Sequence, residues 1–469
     1  MRHRILLTTI LLCLIPFILA ADGEDASPTD RIVEEALERS SVWSILSHLT
    51  DEIGPRPAGS PQAEAAVEWT AKTLESWGLE VRKEPVVVRP WVRGAEHASL
   101  VSHRDQKIIL TTLGGSVATP TEGITADVVE ASSLEDVDRI GEEARGKIVL
   151  FNEAMNMDLV AQGRSFEAYG KAVGQRGRGP SRAARYGAVA ALVRSVGSAS
   201  LRTPHTGALR YDDEYPQIPA AALTAEDAEL IHRLLAKGQR VTMHLVLTPE
   251  TKDEVVSANV VADWKGSESP DEIVLIGGHL DSWDLGTGAI DNGAGVAGVM
   301  ETVRVFSSLG IRPKRTVRVV LFMNEENGLD GARAYLAAHE EDLPNHFATI
   351  ESDAGATVPL GFASTVSVER LTELQDQFLP LSRLKAARLY PSEDAVGADT
   401  SPLSRAGIPG FGLRSDGRHY FDYHHTAADT LDKIDPDEMA RNAAALAVMT
   451  WILADLDEPL AAPSQPADR

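Results

Sequence analysis

The sequence predicts an α/β fold with a less regular block of residues between its first helices and its α/β part. Three observations carry this reading. From Val255 onward, short apolar runs of strand character alternate with stretches of helical periodicity. Residues 31–77 repeat apolar positions at helical spacing, and residues 91–250 change texture to scattered strand-like runs. With 469 residues the chain is too long for one ordinary core, so two or three domains are expected.

Taken in order, residues 1–20 (MRHRILLTTILLCLIPFILA) place Arg2 and Arg4 before an apolar run and end in a small residue. That order is a secretory signal peptide, cleaved after Ala20 or Ala21, and the run is short for a retained membrane span. The only cysteine, Cys13, lies inside it, so the mature protein has no thiol for disulfides, metal or catalysis. Residues 21–30 read as a flexible polar leader. Ile32–Leu49 and Ala63–Trp77 read as helices separated by the Pro/Gly loop DEIGPRPAGS, and 79–90 as a strand. In the middle block, GKIVLF (146–151) is a strand and 179–195 a helix leading into a strand. The Gly- and Arg-rich segment 163–182 reads as a mobile surface loop, with a substrate-facing lid as the alternative. Ile273–Ile276, Thr316–Phe322 and His346–Ile350 are strands; Ala294–Leu309 and Gly331–His339 are helices. The last helix has Asp435 as N-cap, Pro436 first and Glu438 three after the cap, and runs to about Asp455. A Pro-rich, disordered tail follows from 459.

Composition narrows the function. Hydrophobic residues at 43% and charged residues at 24% are ordinary for a folded chain. A net charge of −24 without a basic cluster repels phosphate backbones, so nucleic acid is not the expected partner.

Acids and imidazoles collect just beyond the predicted strands, where loops of an α/β sheet converge. After the 273–276 run come His279, Asp281 and Asp291; after 316–322 come Glu325 and Glu326; after 346–350 comes Asp353. A fourth segment, HYFDYHHTAADT (419–430), supplies His424, His425 and Asp429. Several carboxylates brought together call for a cation, and His plus carboxylate is a zinc ligand set. Two ions sharing one carboxylate need five residues, which His279, Asp291, Glu326, Asp353 and His425 fit. Asp281, two residues from His279, is placed to orient its imidazole.

The string GGHLDSWDLGTGAIDNGAG, followed in order by NEEN, ESDAG and YHHTAADT, resembles the di-zinc metallo-exopeptidase family that contains bacterial leucyl aminopeptidases. HLDSWD, PKRTVRVV, ESDAGATVPLGF and YFDYHH are similar to its carboxypeptidase Q branch. The resemblance implies a zinc exopeptidase fold: a mixed central sheet flanked by helices, carrying an inserted β-rich protease-associated domain. It implies peptidase parts at 28–99 and 251–458 around an insert at 100–250. It implies two Zn²⁺ per chain, one on His279 and Asp353, the other on Glu326 and His425, with Asp291 bridging. Glu325 is then the general base on the bridging water, and the family spacing to Asp429 selects His425 over His424. His424 and Asp399, the latter in GADTSPLSRAGIPGFGL, are candidate substrate contacts. Asn292 and Asn324 depart from the pattern, where a second acid and an alanine are common.

The implied activity is a secreted or periplasmic exopeptidase acting on dipeptides or short peptides with unblocked termini. The implied assembly is a homodimer, with no membrane contact after signal cleavage. A non-catalytic receptor on the same scaffold would have lost ligands, which are all present here; a single-zinc glutaminyl cyclase is the other alternative. Trimming from a carboxyl end needs a cation, for which Arg414 and Arg418 are candidates.

Overall fold

The computed structural model describes residues 26–460. The signal-peptide segment with Cys13, and residues 461–469 of the tail, lie outside the described residues.

An eight-stranded mixed sheet forms the centre of the larger unit, in the order 80–88, 255–264, 315–322, 269–279, 346–351, 410–415, 359–364, 389–391. Its middle four strands are mutually parallel, so their carboxyl ends share one edge. The strand Arg315–Phe322 is buried at every position, as a parallel strand covered on both faces must be. Val317, Val319 and Leu321 face the helices Pro28–Glu38, Ala294–Leu309 and Pro436–Asp455. Val320 and Phe322 face the other way, onto Ala332 and Tyr335 of the helix Asp330–Ala338.

Local signals set the helix ends. The Asp435 carboxylate accepts from the backbone N–H groups of Asp437 and Glu438 at 3.0 and 2.9 Å, and Pro436 opens the helix, as the sequence indicates. At the N-terminus, Ser27 caps a helix that starts at Pro28, so the last residues of the expected flexible leader form its first turn. The expected helix 32–49 is divided: a break at 39–41 separates Pro28–Glu38 from Val42–Ser47.

A second eight-stranded sheet is built within residues 96–247. Its middle strands alternate between two cores: Ile148 and Leu150 face one, Val149 and Phe151 the other. It begins at Glu96, ahead of the expected boundary at 100. Trp91–Val92 pairs antiparallel with Glu250–Thr251, tying together the two places where the chain crosses between sheets.

The segment 163–182 is not a loop. It forms the helices Ser165–Ala172 and Gly174–Ala184. One of its glycines serves close packing: a Cβ on Gly179 would lie 3.0 Å from the Phe151 ring, so glycine lets the helix sit down on the sheet. Ala168 and Ala172, with Met155, Leu159, Val160 and Val196, are buried in the core of the larger unit, so the insert shares that core.

Candidate active site

Four of the reactive side chains stand where a parallel strand ends. His279 is the last residue of Ser269–His279, Glu325 and Glu326 follow Arg315–Phe322, and Asp353 follows His346–Glu351. Asp291 precedes the helix Ala294–Leu309, and His424 and His425 follow the short helix Tyr420–Tyr423.

Asp291 is the hub. Its Oδ1 lies 3.1 Å from His279 Nε2, which is also 3.5 Å from Asp353 Oδ1. Its Oδ2 lies 3.2 Å from His425 Nε2, which is 3.0 Å from Glu326 Oε2. The two carboxylate oxygens thus face separate ligand groups. His424 stacks on His425 and brings its own Nε2 within 3.5 Å of Asp291 Oδ2. The two imidazoles differ on their other nitrogen: His425 Nδ1 faces the Thr206 carbonyl at 3.2 Å, whereas His424 Nδ1 is buried without a partner.

Asp281 does more than was read from its spacing. Its backbone carbonyl, rather than its carboxylate, takes the hydrogen bond of His279 Nδ1, at 3.0 Å. The carboxylate accepts from the N–H groups of Asn324, Glu325 and Glu326 at 2.7, 3.1 and 3.4 Å, fixing the turn that carries both glutamates. The two departures also have local reasons. Asn292 donates to the Ser352 carbonyl and accepts from Gly295 N–H, which an acid could not do together. Asn324 adopts φ of 69°, a left-handed conformation that asparagine tolerates better than alanine.

The electrostatics are those of an acid cluster needing a cation. Burial opposes a charge on His279 and on His425, yet the carboxylates they touch hold both pKa values well above the usual imidazole range. Burial would raise Asp291, but His279 and His425 pull it well below the carboxylate range. Glu325 is pushed well above its ordinary value by burial, with Glu326, Asp353 and Asp291 adding to it. Burial likewise lifts Glu326 to about 7. Glu326 Oε1 and Asp353 Oδ1 are buried without hydrogen-bond partners, a mismatch that divalent cations would relieve. The His279–Asp291–Asp353 and Asp291–His424–His425 atoms lie close enough in each set to hold an ion. The residues therefore fit a metal centre with Asp291 common to both halves.

A cavity of about 500 Å³ opens over this cluster. Its lining includes Asp291, Glu325, Glu326, Asp353, His424 and His425, together with residues between 166 and 178 and between 208 and 210 from the span of the second sheet. Of the expected substrate contacts, His424 lines the cavity, but Asp399 does not: it is 1% exposed and lies in a turn fastened by Glu351. Arg414 stacks over Tyr390 and Arg418 pairs with Asp416, and neither faces the cavity.

Sequence reasoning passed over Glu351 and Arg56. Glu351 accepts from the N–H groups of Ala398, Asp399 and Thr400. Arg56, fully buried in the Pro/Gly loop, donates to five backbone carbonyls around the His279–Asp291 segment. Neither position carries a spacing signal; Glu351 is defined by partners distant in the chain, as is Arg56 through Leu280, Thr287 and Gly288.

Comparisons with known proteins agree with this geometry. Residues 259–450 match the model of peptidase family M28. Carboxypeptidase Q of Rattus norvegicus is 39% identical over 419 residues, covering 89% of this chain and 86% of that protein. A crystal structure of a peptidase M28 precursor from Shewanella amazonensis SB2B, 39% identical, superposes with a TM-score of 0.89 over 93% of this chain and 98% of its own. A zinc aminopeptidase from Bacillus subtilis, 22% identical, shares the fold with a TM-score of 0.63, covering 87% of this chain and 93% of its own. With its ordered acid and imidazole cluster at the ends of parallel strands, and with relatives of this identity over most of its length, the chain belongs to peptidase family M28.

Proposed function

We propose that the protein is an exported, zinc-dependent exopeptidase that hydrolyses dipeptides or short peptides with unblocked termini. The observation that carries this is the division of Asp291, whose two oxygens face His279 with Asp353 on one side and His425 with Glu326 on the other. That arrangement supports two ions sharing one carboxylate. His425 is preferred to His424 as the ligand because its Nδ1 meets a backbone carbonyl, the usual way of orienting a metal-binding imidazole. When bound there, zinc supplies Lewis-acid polarisation of the scissile carbonyl and a water acidic enough to attack near neutral pH.

The chain's own residues do the rest. Glu325 faces the cavity beside the cluster, takes a proton from the attacking water and delivers it to the leaving amine. Burial and neighbouring acids favour its protonated form, which suits the delivery step. Asp281 holds Glu325 and Glu326 through their backbone N–H groups, so base and ligand keep a fixed separation. Residues 100–250 are read as a protease-associated insert closing the cavity, and the apolar N-terminal run 1–20 as the export signal.

The test incubates zinc-loaded protein with blocked and unblocked peptides and identifies products by mass. Unblocked dipeptides should be cleaved. Glu325→Gln should abolish turnover while metal content is kept, and a variant that still turns over removes Glu325 from the role.

A further inference from the structure

The part of the cavity lining that lies outside the acid cluster has a particular charge pattern. Every carboxylate lining the cavity belongs to the cluster itself: Asp291, Glu325, Glu326 and Asp353. Apart from His424 and His425, every other charged or titratable group able to carry a positive charge there is an arginine from the insert: Arg176, Arg178 and Arg210. None of the three has a carboxylate partner within ion-pair distance among the described residues. The wall therefore offers no spare acid for a substrate ammonium and three guanidinium groups for a substrate carboxylate.

Arg176 is the best placed of them. It sits in the first turn of Gly174–Ala184, with its guanidinium 5.6 Å from the centroid of the Tyr169 ring. Its Nη1 donates to the Thr206 carbonyl at 3.2 Å and stands 3.4 Å from Nδ1 of His425. Nε is buried and finds no acceptor, and Nη2 makes no hydrogen bond among the described residues. Two such unpaired donors of a guanidinium can bind a carboxylate through two parallel hydrogen bonds. Gly207 makes room for the guanidinium: a Cβ there would lie 2.3 Å from its carbon. One residue of extended peptide spans only about 3.5 Å. A group that reads the free end of a dipeptide must therefore stand within about one side-chain contact of the hydrolytic cluster, as Arg176 does.

We propose that Arg176, with Arg178 and Arg210 beside it, binds the α-carboxylate of the substrate's C-terminal residue and so sets the enzyme to act as a dipeptidase or carboxypeptidase. This rests on the peptidase reading above and adds the residues that choose the substrate end. Recognition comes from the insert, while hydrolysis belongs to the strand-end cluster.

The test compares a dipeptide with its C-terminal amide, and measures binding of hydrolysis-resistant analogues of both whose scissile amide is replaced by a methylene-amine link. The wild type should favour the free acid in kcat/KM and in binding. Arg176→Ala should lower that preference by about 10- to 100-fold, the worth of a hydrogen bond to a charged group. Arg176→Lys, which keeps the charge without the fork, should give an intermediate preference, and it serves if the alanine variant does not fold. An unaltered acid-to-amide ratio in either variant, or a wild type that treats acid and amide alike, overturns the proposal. If neither dipeptide is cleaved but the acid analogue still binds better in an Arg176-dependent way, the peptidase reading fails and the carboxylate site stands.

Discussion

Replacing Arg56 with lysine isolates one structural contribution to the site. Arg56 Nε donates to the Leu280 carbonyl at 2.9 Å; Nη1 serves Leu49, Gly54 and Thr287 at 3.1, 2.9 and 2.8 Å; Nη2 serves Gly288 at 2.9 Å. The residue is 0% exposed, and burial lowers its pKa only to about 10, so it stays charged near neutrality. A lysine ammonium has three N–H donors, leaving at least two of these buried carbonyls unpaired at about 1 kcal/mol or more each. The ammonium is also more strongly hydrated than a guanidinium, which adds in the same direction. Arg56→Lys should therefore lose at least about 2 kcal/mol of unfolding free energy, read from urea denaturation of the zinc-loaded protein. The carbonyls of Leu280, Thr287 and Gly288 frame the segment between His279 and Asp291, so zinc affinity should fall by about 10- to 100-fold as well. Wild-type stability within 0.5 kcal/mol together with undiminished zinc affinity, each measured on the purified variant, would refute the carbonyl-anchor reasoning.

Other outcomes follow from the same geometry. Asp291→Ala should reduce bound metal at both positions, measured as zinc per chain; loss of one ion alone contradicts its bridging place. Asp281→Ala frees the three N–H groups at 324–326, so kcat should fall by about 100-fold through misplacement of Glu325, with His279 still tied by the backbone carbonyl of residue 281. His346 is buried between Tyr335 Oη and the Asp342 carbonyl, and burial lowers its pKa to about 4. Its unfolded form binds a proton near 6.5, so the unfolded state gains protons first as pH falls. Stability from this group is complete above about 6.5 and lost between 6.5 and 4, about 3 kcal/mol by pH 4. His346→Gln should flatten that part of the stability-against-pH curve.

Legibility in the sequence followed chain locality. The start of the helix Pro436–Asp455 is legible because its signals, Asp435, Pro436 and Glu438, lie close together in the chain. The strands that carry the cluster could be read because parallel strands buried on both faces are continuous apolar runs, with the acids directly after them. The segment 163–182 reads as a loop because glycine and arginine normally mark exposed loops, yet it is helical. Here Gly179 allows contact with Phe151, and Arg176 and Arg178 line a cavity, both consequences of tertiary placement. Arg414 and Arg418 are close to His425 in the chain, yet strand pairing sets Arg414 over Tyr390 and a local ion pair holds Arg418 on Asp416.

The insert also bears on how the cluster is built. His425 is held through its Nδ1 by the carbonyl of Thr206, and the Thr206 N–H donates back to the His425 carbonyl at 2.9 Å. His205 Nδ1 likewise meets the His424 carbonyl at 2.8 Å. His425 itself has φ of 62°, an uncommon conformation for a non-glycine residue that persists only where its surroundings enforce it. Those surroundings are the insert residues 205 and 206, far from 425 in the chain. Orientation of the second imidazole group and the cationic wall above it thus come from the same interrupting segment. A catalytic unit rebuilt without that segment would keep the strand-end carboxylates and His279, but would lack the partners that hold His425 in place.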